Sequence, residues 1–145
     1  MRPASRSAVL AASQAEIFQL VSDPEHLPRW WPGVQRVEGV TAERFTQVLR
    51  ARRGRSIRAD FRVLAVERPW RVLWAQELAG TPFARVLRES IVEVALAPEA
   101  GGTRVTLSWR QRLRGYSMTG GWMVRRATEA RLAEALEGLR AITAP

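Results

Sequence analysis

The side chains that could perform acid–base or metal chemistry are few in this sequence. His26 is the only histidine, Asp23 and Asp60 are the only aspartates, and there is no cysteine. This composition excludes a multi-histidine metal site, a thiolate nucleophile and disulfides. His26 stands beside Glu25 in a predicted short surface helix, where a solvated imidazole is more common than a catalytic base. We therefore expect neither a metal nor a cofactor.

A second group of side chains could orient a substrate or polarise a carbonyl group. Its members are Gln76, Gln111, Tyr116 and the pair Arg125 and Glu129. The spacing of that pair, i to i+4 on a helix, is more often found in a surface salt bridge. Here, however, the pair shares its helical stripe with Trp122. These residues keep an enzyme hypothesis open without supplying a complete catalytic set.

The tryptophans are the most conspicuous candidates for binding. Six of them in 145 residues is a high number. Trp74, Trp109 and Trp122 are expected to converge on one cavity if the last helix lies across a sheet, although large aromatic residues often do nothing but fill a core. Trp30 and Trp31 are adjacent and lie between prolines. We expect that both cannot point inward, so at least one should line a cavity mouth or meet a membrane surface.

The elements that must position these residues are mainly strands. Hydrophobic alternation with a period of two predicts strands over 7–12, 34–40, 44–53, 55–67, 70–78, 85–96 and 103–113. Turn-forming residues separate the last five at Gly54, Pro69, Gly80 and 98–102. Six strands in succession indicate an antiparallel meander.

Alternation within each strand predicts which side chains face the interior. The clearest set is Val105, Leu107, Trp109, Gln111 and Leu113. The neighbouring strands add Phe45, Gln47, Leu49, Ile57, Ala59, Phe61, Val63, Val72, Trp74, Gln76, Ser90, Val92, Val94 and Leu96. Such a wall of apolar and aromatic groups with a few amides suits a hydrophobic ring system oriented by one or two hydrogen bonds. The carboxylates of Asp60, Glu77, Glu89 and Glu93 fall on the opposite face.

Helices are predicted on either side of the meander. Ser13 and Glu16 form a capping box that starts a helix, and Asp23 followed by Pro24 starts a second, shorter one. A long amphipathic helix is expected from about Trp122 to the end of the chain, with 115–121 as a flexible entry. The sequence therefore predicts an α+β fold.

This order of elements resembles the helix-grip fold of the START and birch-pollen-allergen (SRPBCC) superfamily. The stretches ASQAEIFQLVSD at 12–23, LPRWWPGV at 27–34 and GGTRVT at 101–106 are similar to its polyketide cyclase/dehydrase-like branch. The resemblance implies one domain over 1–145, with a curved seven-stranded antiparallel sheet around a long C-terminal helix and two short helices after the first strand. Members of the superfamily include lipid and sterol carriers, hormone receptors and aromatic cyclases, so the fold alone does not assign the activity.

The charge of the chain suggests two interpretations of its arginine residues. The formal net charge is +9, and every basic residue is arginine. The run Arg50–Arg62 could dock on phosphate groups of a membrane or of RNA, or it could keep a sheet edge soluble. No zinc knuckle, helix-turn-helix or aromatic RNA-binding motif accompanies it, so nucleic acid is not an expected partner. The sequence lacks an apolar stretch of membrane-spanning length and lacks cysteine, from which we expect a soluble, cytoplasmic protein.

Three functions follow from these observations. The leading hypothesis is binding or transfer of a hydrophobic small molecule, such as a lipid, a polyketide or an aromatic compound, in an internal cavity. The first alternative is a polyketide cyclase or dehydratase, and the second is an arginine-mediated binder of RNA or an anionic membrane. The predicted ligand-binding residues are Trp30, Phe61, Trp74, Gln76, Trp109, Gln111, Tyr116, Trp122, Arg125 and Glu129. The oligomeric state, monomer or homodimer, stays open, and the leading hypothesis requires an open interior.

Overall fold

The computed structural model of this protein describes residues 2–115 and 118–143. These residues form seven strands and three α-helices, joined in part by short 3-10 turns at Pro24–His26, Arg52–Gly54 and Pro82–Arg85. In chain order the elements are β1 (Ala4–Leu10), α1 (Gln14–Ser22), α2 (Leu27–Trp30), β2 (Val34–Glu38), β3 (Arg44–Arg50), β4 (Ser56–Glu67), β5 (Arg71–Gln76), β6 (Leu87–Glu99), β7 (Gly102–Leu113) and α3 (Met118–Thr143).

The strands form one antiparallel sheet in the order β1-β7-β6-β5-β4-β3-β2. Strands β2 to β7 are a meander, as predicted, and β1 pairs with β7 so that Ala4 lies opposite Trp109. The predicted α+β helix-grip architecture is thereby confirmed. Strand β1 begins three residues earlier than expected, because its first residues are mostly polar and gave no hydrophobic alternation. The edge strands are β1 and β2, which leaves β3 and β4 inside the sheet.

The helix starts follow from the capping residues. The Ser13 hydroxyl accepts a hydrogen bond from the backbone N–H of Glu16 at 3.1 Å, which begins α1 as predicted. The Asp23 carboxylate accepts one from the backbone N–H of Glu25 at 3.0 Å, and this turn leads directly into α2. The second predicted helix is therefore a 3-10 turn followed by one short α-helical turn.

The predicted inward face is largely confirmed. The fully buried members are Phe45, Gln47, Ala59, Phe61, Val72, Trp74, Ser90, Val92, Val94, Leu96, Val105 and Leu107. Ile57 is an exception and is 43% exposed. It is the second residue of β4 and lies next to the turn that precedes this strand. Val48 is an exception in the opposite sense, because the alternation in β3 predicted an exposed side chain and the structure buries it. It lies outside the main core cluster. Alternation within the strands thus located the core face of five strands with few errors.

Helix α3 differs from the prediction at its start. It begins at Met118 and includes Gly120 and Gly121, whereas a start near Trp122 was expected. Its buried residues are Gly121, Thr128, Leu132, Ala135, Leu136 and Leu139. The predicted buried face of α3 was therefore right from Leu132 onward. At the start of the helix it was wrong by one position, because Gly121 is buried and Trp122 is exposed. No helix in the described ranges combines the length and hydropathy needed to cross a bilayer.

The C-terminal half of α3 meets α2 at a glycine. A Cβ atom on Gly138 would lie 2.5 Å from the carbonyl oxygen of Trp30 and 2.9 Å from its Cα. Both neighbours are backbone atoms, which cannot rotate away as a side-chain tip can. The absence of a side chain at Gly138 therefore sets how closely the two helices approach.

We predict that Gly138→Ala destabilises the protein by about 1–3 kcal/mol, because the added methyl group overpacks this contact. Helix propensity alone predicts the opposite sign, a gain of about 1 kcal/mol. Urea unfolding should therefore show a lower midpoint for Gly138→Ala. Ala130→Gly, at an exposed position of the same helix, measures the change in unfolding free energy that comes from helix propensity alone. A midpoint for Gly138→Ala at or above that of the parent chain would show that Gly138 does not limit how closely α2 and α3 approach.

Candidate functional site

An aromatic cluster fills the space between the sheet and α3. Trp74 of β5 lies at its centre, with ring centroids 6.5 Å from Trp30, 6.4 Å from Trp31 and 5.7 Å from Phe45. Trp31 also lies 5.6 Å from Trp109 of β7. Most of these rings meet edge to face or tilted, which are favourable geometries for aromatic pairs. The cluster therefore joins α2 to three strands of the sheet.

Strand register brings the members of the cluster together. Trp74 lies opposite Val92 of β6, and Val92 lies opposite Trp109. On the other side, Phe45 lies opposite Phe61, and their rings stack at 5.2 Å. Sequence parity predicted that Phe61, Trp74 and Trp109 share one face, and the structure brings them into one continuous surface.

The structure corrects the prediction for the adjacent tryptophans. Trp30 and Trp31 are only 3% and 5% exposed, so both point inward. The reason is that α2 ends at Trp30, while Trp31 has an extended backbone with φ −88° and ψ 125°. Two consecutive side chains in a helix diverge by about 100°, but this change of backbone direction returns the second ring to the same side. Trp31, which was not among the predicted binding residues, therefore belongs to the aromatic cluster.

Two polar contacts orient groups beside the cluster. The Trp109 indole N–H donates to the Ser90 hydroxyl at 3.0 Å. The Thr128 hydroxyl of α3 donates to the Gln111 side-chain oxygen at 2.7 Å. Thr128 is buried and is a second residue that the sequence did not single out. Its polar side chain on an otherwise apolar helix face was the available signal.

Two indole N–H groups in the cluster have no hydrogen-bond partner in the part of the chain that the structure describes. They belong to Trp30 and Trp74, and both nitrogens are buried. Trp74 is 1% exposed, so its donor has no access to bulk solvent. A buried donor without an acceptor costs about 1–3 kcal/mol. Such groups are uncommon in folded proteins and require an explanation.

The space enclosed between the sheet and α3 is small. A cavity of about 20 Å³ lies between β7 and α3, which is room for about one water molecule. Its lining residues are Arg2, Ala4, Trp109, Gln111, Leu113, Gly121, Val124 and Arg125. The sequence predicted an interior open enough for a ligand, and the described side chains instead pack it nearly closed. A larger ligand would have to displace side chains or part of α3.

Several predicted binding residues lie elsewhere. Trp122 is 58% exposed, and the Arg126 guanidinium lies 5.0 Å from its ring centroid. Gln76 is half-buried and lines a groove on the outer side of the sheet rather than the interior cavity. Glu129 is half-buried and forms no ion pair with Arg125 among the described residues. Tyr116 lies outside the described residues.

The ionisable groups are arranged mainly on the outer face of the sheet. Asp60 accepts a hydrogen bond from the Thr46 hydroxyl at 2.6 Å. Glu77 lies 3.4 Å from Arg44, and Glu89 lies 3.2 Å from Arg112. Together with Glu93, which pairs with Arg71, these carboxylates face outward as predicted. Arg125 and Arg2 are the charged residues that line the interior cavity.

This arrangement can bind and orient a ligand better than it can transfer protons. The aromatic rings offer stacking surfaces, the two free indole groups offer hydrogen-bond donors, and Arg125 offers a positive charge. Neither a carboxylate nor an imidazole is among the residues that line the interior cavity. Proton abstraction in this cavity would therefore lack a general base among the described residues.

Comparison with known proteins places the chain in a family. The family model described as "Polyketide cyclase / dehydrase and lipid transport" matches residues 1–143. The chain belongs to this family. A search of proteins with curated function finds no match. Family and fold together indicate a ligand-binding domain of the START and polyketide cyclase type.

Solved structures agree with this fold. A START superfamily protein from Mycobacterium smegmatis aligns with a TM-score of 0.78 at 15% identity, covering 99% of this chain and 97% of that one. The di-domain ARO/CYC protein BexL of the BE-7585A biosynthetic pathway aligns with a TM-score of 0.80 at 23% identity. That alignment covers all of this chain and 48% of BexL, so this chain spans about half of the di-domain protein.

We predict that Thr128→Val loosens the N-terminal half of α3. The change keeps the shape of the side chain but removes the hydrogen bond to Gln111, which costs about 1–2 kcal/mol. Amide hydrogen exchange should accelerate over residues 120–128 and stay nearly unchanged over 132–143. Thr106→Val, on the outer face of β7, is the matched control. Uniform acceleration along α3, or none, would contradict a local role for the Thr128 contact.

Proposed function

We propose that this protein binds or transfers a hydrophobic small molecule, such as a lipid, a polyketide or an aromatic compound, at the aromatic cluster between the sheet and α3. The observation that carries the proposal is the pair of buried, unpartnered indole N–H groups of Trp30 and Trp74. A ligand carrying a carbonyl, hydroxyl or ether oxygen would supply the acceptor that these donors lack. The membership of the chain in a cyclase and lipid transport family supports the same conclusion.

The chemistry of the cluster specifies the ligand class further. Four tryptophan rings and two phenylalanine rings surround the donors, and they favour a flat, ring-containing ligand over a flexible polar one. We propose Trp30, Phe61, Trp74, Trp109, Gln111 and Arg125 as contact residues. The Trp30 and Trp74 ring centroids lie 6.5 Å apart, and we propose that a single ring system contacts both donors.

Entry of such a ligand requires movement, because the interior cavity holds only about 20 Å³. The N-terminal half of α3 is the element best placed to move. Its Trp122 and Met123 side chains are more than half exposed, whereas its C-terminal half buries Leu132, Leu136 and Leu139. Fewer buried apolar contacts mean a lower free energy of local opening. We therefore place the entrance between Leu113 and the first turns of α3.

Binding without chemistry is the better-supported form of this function. An enzyme of the cyclase or dehydratase type would need a group that moves a proton, and the charged residues at the cavity are Arg2 and Arg125. Arginine remains protonated in proteins, so it can polarise a carbonyl but cannot act as a base at neutral pH. Cysteine is absent from all 145 residues. Its absence is compatible with the reducing cytoplasm, where we propose that the protein acts.

We predict that 1,4-naphthoquinone binds about 10-fold more tightly than naphthalene, because only the quinone has oxygen acceptors for the indole donors. The preference should fall in Trp74→Phe, which lacks one of the two donors, and should fall to near unity in the double variant Trp30→Phe, Trp74→Phe. Titrations followed by the indole N–H resonances of a ¹⁵N-labelled sample test this directly, since the Trp30 and Trp74 signals should shift. Trp70→Phe, at an exposed position, serves as the control and should keep the preference.

A second pair of variants tests the location of the site. Val124→Trp places a large ring in the interior cavity. It should weaken naphthoquinone binding at least about 10-fold, because the ligand would lose apolar contact area comparable to that of one buried side chain. Ala127→Trp adds the same ring on an exposed position of α3 and should have little effect. Retained binding in a folded Val124→Trp protein, or naphthoquinone titrations that move neither indole signal, would refute the proposed site.

A further inference from the structure

The positive charge of this protein is concentrated at one end of the sheet. Residues 50–58, 76–89 and 110–126 contain 12 of the 23 arginines but only 2 of the 14 acidic residues. The rest of the chain contains 11 arginines and 12 acidic residues. The whole excess of positive charge therefore belongs to these three segments, which we call the cationic end.

The topology brings the three segments to the same edge. The C-terminal ends of β3, β5 and β7 and the N-terminal ends of β4 and β6 meet there, because all neighbouring strands are antiparallel. Helix α3 also begins at this edge, and Leu113 and Arg125 from this end are among the residues that line the interior cavity. The opposite edge carries mixed charges, including Glu99 paired with Arg104.

Most arginines of the cationic end lack a carboxylate partner. Arg58 donates to Glu38 at 2.6 Å and Arg112 pairs with Glu89. Hydrogen bonds from Arg36 and Arg58 lower the pKa of Glu38, so this carboxylate remains charged. Among the residues that the structure describes, those without an ion pair at this end are Arg50, Arg53, Arg55, Arg85, Arg88, Arg110, Arg114, Arg125 and Arg126. Arg125 lines the interior cavity, and Arg114 donates to the carbonyl oxygen of Ala84 at 2.7 Å. The other seven are exposed, so their charge is available to an external anion.

Protection of a sheet edge does not explain these arginines. That explanation was the simpler expectation for the run Arg50–Arg62, but β3 and β4 lie inside the sheet, where β2 and β5 pair with them. A strand whose backbone groups are paired on both sides presents no edge for aggregation. The charge around Arg53 and Arg55 therefore needs another reason.

Exposed apolar side chains accompany the charge. Val86, Trp122 and Met123 are each more than half exposed at this end. The Arg126 guanidinium covers one side of the Trp122 ring. Tryptophan and arginine are the side chains that favour the boundary between lipid headgroups and acyl chains.

We propose that the cationic end docks on an anionic membrane surface. Arginines bind the lipid phosphates, while Val86, Trp122 and Met123 enter the headgroup region. The proposal goes beyond ligand binding, because docking needs only this surface and no occupied interior. It places the entrance beside α3 against the membrane, where a hydrophobic ligand can pass without crossing water.

The exposed apolar groups favour a membrane over RNA. Single-stranded RNA is bound by aromatic rings whose faces are open to bases. Trp122 already has Arg126 over its ring, and Val86 and Met123 are aliphatic and offer no stacking surface. Branched and thioether side chains gain free energy from leaving water, which a lipid interface provides and a polyanion does not.

The test is co-sedimentation with vesicles of equal parts phosphatidylcholine and phosphatidylglycerol, with phosphatidylcholine vesicles as the reference. The triple variant Arg50→Gln, Arg53→Gln, Arg55→Gln should bind on the order of 100-fold more weakly. A control triple variant, Arg6→Gln, Arg68→Gln, Arg140→Gln, lowers the net charge equally with exposed arginines outside the cationic end. It should bind within about 3-fold of the parent chain, since distant charges are screened.

A tryptophan pair separates the apolar contribution from the charge. Trp122→Ser should weaken vesicle binding about 10-fold, whereas Trp70→Ser, exposed beside Glu67 and Arg71, should not. Equal losses in the two triple variants would refute a local surface, as would equal binding to phosphatidylcholine alone. Binding to a mixed-sequence single-stranded RNA but not to vesicles would also overturn the proposal. Naphthoquinone affinity should be unchanged in the Arg50, Arg53 and Arg55 variant, so failure of docking and failure of ligand binding are distinguishable.

Discussion

The packing of tryptophan rings around Trp74 is the interaction on which the other parts of the structure depend. Trp74 stands in the middle of the sheet, and Trp30 and Trp31 bring α2 onto it. Helix α3 then packs against the backbone of Trp30 at Gly138. Loss of the central ring would remove the surface on which α2 rests, and with it the contact that positions the last helix. Fold and candidate site are thus built from the same side chains.

This sharing explains why the interior is nearly full. Large aromatic rings bury much apolar area and stabilise a protein of this size that contains no cysteine. The same rings occupy the volume in which a ligand would lie. Binding and packing therefore compete for one space, and the two indole donors without acceptors mark where packing alone leaves polar groups unsatisfied.

Strand alternation and capping residues were sufficient to predict much of the fold. The alternation in β7 predicted its buried face, and Ser13 with Glu16 predicted the start of α1, because both signals depend on neighbours close in sequence. Trp31 and Trp122 were placed wrongly for the opposite reason. The backbone turn after α2 returned Trp31 to the core, and the buried stripe of α3 passes through Gly121 and Thr128, one position away from Trp122. The cavity volume was beyond sequence reasoning, since it depends on how rings from distant strands interlock.

The backbone contact at Gly138 fixes α3 near its C-terminal end and leaves most of its length on the N-terminal side of this point. About 20 residues separate Gly138 from the first turn of the helix, which is about 30 Å at 1.5 Å per residue. A tilt of about 10° around that point swings the first turn by about 5 Å while the last two turns barely shift. Such a tilt would open an aperture about as wide as an aromatic ring, and it would require no change in the strand pairing of the sheet.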